Sequence, residues 1–209
     1  MLELTRNVAE RARTTLGIAA QNLAVQDVIA LSFHAYLFLR VTIAPDSPDA
    51  TVARRLALAL LVMTASCMIL TRGEVIRERR ARALAYRLGL FVPMVLSYFE
   101  IRVLLPALQP DLMDRRLFAI DEWLLGTTPS VWMDAWNTRP VVEWFSFFYY
   151  THFFVLVGML IPALFFGKGR RLQELMAGGM LVIATGHFLY TLVPGAGPYA
   201  TLAFEEPLY

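Results

Sequence analysis

The chain has 209 residues, of which 57% are hydrophobic, with a mean hydropathy of +0.53 and a formal charge of +2. A soluble domain carries about half apolar residues. Here too few polar residues remain to cover the long apolar runs, so a soluble globular class is excluded and a polytopic membrane protein is expected.

In chain order, residues 1–22 carry Arg6, Arg11 and Arg13 with Glu3 and Glu10 and predict an amphipathic helix on the cytoplasmic surface. No cleavable signal peptide is evident. A spanning helix needs roughly 20 predominantly apolar residues. Five stretches meet or approach this: 23–44, 53–71, 88–108, 141–166 and 172–193. The fold expected is all-α, a polytopic bundle of about five spans with one interfacial helix, forming a single membrane domain over 1–209. Cys67, the one cysteine, reads as a small apolar filler within the second span. Gly178, Gly179 and Gly186 on the fifth permit close helix contact.

Charge placement gives a topology. Arg72, Arg77, Arg79, Arg80, Arg82 and Arg87 follow the second span, and Lys168, Arg170 and Arg171 follow the fourth. With the basic N-terminus they mark one side as cytoplasmic, in a membrane expected to be the bacterial inner membrane. Topology thus accounts for the arginines, and no nucleic-acid partner is expected. Arg54 and Arg55, at an outer helix end, are expected to snorkel.

The external segment 109–140 is too long for a bare connection. Asp114 is placed to cap a helix in which Leu117, Ile120 and Leu124 share a face and which Gly126 ends. Trp132 and Trp136 fall in a second short helix, and both helices are expected to lie along the outer membrane surface. The fifth span then runs outward to a Pro-Gly-Ala-Gly-Pro turn at 194–198.

Neither HExxH, CxxC, GxSxG, a Walker loop nor GxGxxG occurs, so no metal or cofactor is expected. Charged groups inside spans are costly and become functional candidates. Asp27 and His34 share a face of the first span; Glu100 and Arg102 diverge on the third. His187, Tyr190, Thr191 and Pro194 form one stripe ending at the turn, with His187 roughly 9 Å below it. Tyr149 and His152 make a similar pair on the fourth span, and Arg139 offers a forked donor for an anionic headgroup. Each also has a plain structural reading, as a contact between helices or an interfacial anchor.

Three segments resemble, in order and spacing, the type 2 phosphatidic acid phosphatase superfamily, in the branch that includes inositol phosphorylceramide synthases. Asp121, Leu124, Gly126 and Pro129 match an Asp-x-x-Leu-x-Gly-x-x-Pro segment. Tyr149 and His152 match a Tyr-x-x-His element, and Pro194, Ala196 and Pro198 match a Pro-x-Ala-x-Pro turn. The resemblance covers residues 85–209. It implies phosphoester chemistry on a phospholipid or sphingolipid at the outer face, with a histidine nucleophile and a second histidine as acid. The family's Phe-Pro-Ser-Leu-His motif and its nucleophilic histidine would follow residue 209. No catalytic residue is therefore assigned within 1–209, and unaided turnover is not expected. Arg139, Tyr149, His152, His187, Pro194, Gly197, Pro198 and Tyr199 are the expected substrate-binding residues. The rival expectation is a non-enzymatic membrane subunit or small transporter, with Asp27, His34, Glu100 and Arg102 along its pathway.

Overall fold

The computed structural model describes residues 2–108, 112–198 and 202. The described residues are helical apart from short connections: α1 (Leu2–Gln21), α2 (Val25–Ile43), α3 (Pro48–Arg72), α4 (Arg79–Leu108), α5 (Asp114–Leu125), α6 (Pro129–Asp134), α7 (Arg139–Phe166) and α8 (Gly169–Leu192). Helices α3, α4, α7 and α8 are each long and apolar enough to cross a membrane. Helix α2, which carries Gln26, Asp27, His34 and Arg40, reaches that standard only together with α1, from which it is bent by 112°. The accessible surface is 14928 Å², against roughly 9,800 Å² for a globular protein of this mass. Much of the excess is large apolar side chains on the outside of the long helices, as a lipid-facing bundle requires.

Helices α2, α3, α4 and α8 form the packed core, with α3 against α4 its most extensive interface. The core is a ladder of Phe33, Leu37 and Val41 from α2, Ala53 and Ala57 from α3, Leu90, Met94 and Leu104 from α4, and Met176 and Met180 from α8. Gly89 lets α3 and α4 close up, since a Cβ there would stand 1.9 Å from Cys67 Sγ. Of the fifth-span glycines, only Gly179 is in contact, under the Phe91 ring; Gly178 and Gly186 face open space.

Helices α3, α4, α7 and α8 begin before their apolar runs, α3 and α4 by the most, because hydropathy marks lipid depth rather than helix ends. At α3, Pro48 takes the first helical position and Ser47 Oγ accepts from Ala50 N at 3.0 Å. At α4, Glu78 accepts from the N–H groups of Ala81 and Arg80, which hold its carboxyl below the usual range, and Arg79, Arg80, Arg82 and Arg87 are helical. Arg54 donates to Val41 O at 3.0 Å and Ala44 O at 2.7 Å and pairs with Asp46 at 2.5 Å. It caps the C-terminus of α2, where orphan carbonyls favour a cation.

The basic end is fastened by Asp27, which is fully buried. It accepts from Ala24 N at 2.8 Å, Arg72 Nε at 2.7 Å and Tyr86 Oη at 2.5 Å, joining the start of α2 to α3 and α4. Arg72 also covers the Tyr86 ring, its Cζ 4.1 Å from the centroid. Helix α7 leans on α4 at this same end, where Leu164 is buried and Arg87 Nη1 donates to Leu164 O at 2.7 Å.

Candidate functional site

At the opposite end, α8 unwinds at Val193 into the turn 194–198. Tyr190 Oη donates to Gly195 O at 3.2 Å, and Met113 N donates to Pro194 O at 2.8 Å. Asp114 departs from its expected role. Met113 occupies the N-cap position, and Asp114 is the first helical residue. Its carboxylate instead accepts from two successive backbone groups of the turn, Ala196 N to Oδ2 at 3.1 Å and Gly197 N to Oδ1 at 2.9 Å. Those N–H groups, Ala196 first, hold the carboxyl below the usual range. Gly197 supplies the positive φ of 96° that turns successive N–H groups toward one anion.

Below the turn, between α4 and α8, a cleft of about 620 Å³ is lined by Tyr98, Phe99, Ile101, Arg102, Gly186, His187 and Tyr190. Ser97 donates its hydroxyl proton to Met94 O at 2.7 Å, so its oxygen accepts from His187 Nδ1 at 3.1 Å. That arrangement selects the tautomer with a free lone pair on Nε2. The His187 ring is stacked on Tyr98 at 5.9 Å between centroids and meets Phe33 at 5.8 Å. Arg102 makes no ion pair among the described residues. Glu100 diverges from it, as expected, with its Oε2 buried and unpartnered. Beside the cleft, Thr191 donates to Phe188 O, Tyr36 donates to Thr191 Oγ1 at 2.7 Å, and Arg40 donates to Tyr36 at 3.2 Å.

The expected binding residues divide into two groups. His187, Pro194, Gly197 and Pro198 come together around the end of α8. Arg139, Tyr149 and His152 lie on α7, and their hydrogen bonds, ion pairs and ring contacts among the described residues stay within that helix. Arg139 pairs with Glu143 at 2.8 Å. His152 bonds the Tyr149 carbonyl and packs on Tyr149 and Phe153. Tyr199 lies outside the described residues.

Asp27 and His34 are each buried but serve different partners. His34 Nδ1 lies 2.9 Å from Ala30 O and 3.3 Å from Thr64 Oγ1, while its Nε2 is buried without a hydrogen bond. Sequence reasoning missed Tyr98, Ser97 and the Asp114 clamp; Tyr98 alone left a local sign, four residues before Arg102 and so on its face. Neither family models, curated proteins nor solved structures give a match to this chain.

Proposed function

We propose that this chain is a lipid-phosphate-handling membrane protein of the phosphatase and phosphotransferase type, engaging phospholipid headgroups at the outer face of a bacterial inner membrane. The observation that carries the reading is the turn at 194–198, whose two backbone N–H groups already hold an anionic carboxylate. Beside it stands a cleft lined by the rings of Tyr98, Tyr190 and His187 and by Arg102, which makes no ion pair among the described residues. Arg102, six residues from the end of α4, stands roughly 9 Å below that end, a depth suited to the glycerol and phosphate of a lipid. A guanidinium there presents a forked donor to phosphate oxygens, while Phe99 and Ile101 offer apolar surface to the chains. The resemblance to the type 2 phosphatidic acid phosphatase superfamily agrees with this chemistry, and the basic end of the bundle would be cytoplasmic.

The test is binding of phosphatidic acid to the purified chain in nanodiscs of phosphatidylcholine. Arg102→Gln is expected to weaken binding about tenfold or more, the cost of losing one charge-assisted pair. Binding unchanged by Arg102→Gln would remove the cleft from the site. Unaided hydrolysis of phosphatidic acid is not expected; turnover abolished by His187→Ala would make His187 catalytic and overturn this assignment.

One observation favours the rival reading of a small transporter: His34 is an ionisable side chain fully buried inside the bundle, where such a group is costly unless it serves a path. Against it, Asp27 is spent on Arg72 and Tyr86.

A further inference from the structure

The basic end carries a second feature, independent of the reading above. Helix α1 does not continue α2 but turns from it by 112° and packs across the end of α3. It docks closely at Gly73, where a Cβ would stand 2.6 Å from Thr15 Cγ2 and 3.0 Å from Thr15 O. Between α1 and the turn after α3 opens a groove of about 800 Å³. Asn7, Arg11 and Thr15 line it from α1, and Arg77 lines it from the turn.

The charge balance in this groove is uneven. Its two carboxylates are already engaged, Glu10 with Arg6 at 3.3 Å and Glu74 with Arg82 at 3.3 Å. Arg11 and Arg77 make no ion pair among the described residues, so two guanidinium groups face one groove with the Asn7 amide and Thr15 hydroxyl beside them. That donor set matches a phosphate, whose oxygens accept forked hydrogen bonds. The surroundings are amphipathic. Val8, Ala12, Leu16 and Ala19 recur at helical spacing on α1, and Val8, Leu16 and Val75 are exposed.

We infer that this groove seats the headgroup phosphate of an anionic phospholipid from the leaflet around the basic end, with α1 lying in that leaflet. A free phosphate would need the two arginines alone; the exposed Val8, Leu16 and Val75 beside them call for acyl chains as well. Clusters of arginine next to spanning helices draw anionic lipid in this way, and an amphipathic helix adds its apolar stripe to the same attraction.

The test is native mass spectrometry of the full chain released from detergent micelles after titration with dioleoylphosphatidylglycerol or dioleoylphosphatidylcholine. The first phosphatidylglycerol is expected to bind at least about tenfold tighter than phosphatidylcholine, the weight of two juxtamembrane arginines. The double variant Arg11→Gln, Arg77→Gln is expected to lose most of that preference. Gly73→Val, which keeps every charge but pries α1 from its dock, is expected to lose it too. The control Arg170→Gln, Arg171→Gln, at the same end of the bundle, is expected to keep it. A preference that survives Arg11→Gln, Arg77→Gln, or that falls equally in the control, overturns the site. Displacement of phosphatidylglycerol by millimolar inorganic phosphate would overturn its assignment to a lipid.

Discussion

Asp114 opens α5, where an acidic side chain would ordinarily serve its own helix, yet its two oxygens serve a turn 82 and 83 residues away. The consequence for pH follows from the direction of its shift. Its folded carboxyl lies below the ordinary value near 3.9, so the clamp contributes fully above that value and is lost as pH falls through the lower, folded one. Between pH 5 and 9 the turn is therefore expected to be held without change, loosening only below about pH 4. Asp114→Asn offers one acceptor oxygen and sets an N–H₂ group against a backbone N–H. Amide exchange at Ala196 and Gly197 is expected to rise about tenfold or more at neutral pH, the weight of a hydrogen bond to a charged group. Exchange equal to the parent chain would mean that Tyr190 and Met113 suffice to hold the turn. The same carboxylate bears on the proposed ligand, because a phosphate entering the turn must displace it.

At the scale of elements, Asp27 is where the bundle is most exposed to a single change. Three donors from three places converge on one carboxylate of zero exposure. Removing one partner of a buried pair leaves the other charge uncompensated, at about 3–5 kcal/mol. Asp27→Ala is expected to cost about that much, read as a lower unfolding midpoint in detergent micelles. Tyr86→Phe, which removes the hydroxyl that donates to Asp27 and accepts from Arg72 and Gln26 but no charge, is expected to cost about 2 kcal/mol. Equal effects would show that Arg72 finds water when its partner is gone. This contact also marks what the sequence could tell. Apolar runs revealed each long helix, because lipid admits little else. Asp27 stood out as a costly charge inside a span, but its partner did not, since Arg72 reads as one more topological arginine. The clamp by Asp114 was illegible for a related reason: helical periodicity reaches three or four residues, and this contact crosses 82.

At the scale of the whole molecule, α7 differs from its neighbours. Only 6% of its most apolar stretch is buried, against 28–39% for the other three long apolar helices, and it meets α4 near Leu164. The sequence could not foretell this, because a span apolar all round gives no clue to which face finds a partner. It also explains why Tyr149 and His152 stand apart from His187, although all three occupy the expected part of their helices. What holds regardless of α7 is the sidedness of the four core helices. Arg54 ties α3 to the end of α2, and Asn22 Nδ2 donates to Arg72 O at 3.2 Å at the other end. Met113 joins the segment after α4 to Pro194. The turn at 194–198 and the turn after α3 therefore lie at opposite ends. With Cys67 replaced by Ala, a single cysteine at Ala196 and one at Val75 are expected to react with a membrane-impermeant maleimide from opposite faces of sealed vesicles. Val75 is preferred to Gly73, where any side chain meets Thr15. If the basic end is cytoplasmic, as the arginines imply, Ala196→Cys reacts in whole spheroplasts and Val75→Cys only in inverted vesicles. Labelling of both from one face would break the bundle into a different threading, and with it the claim that the cleft and the groove serve separate leaflets.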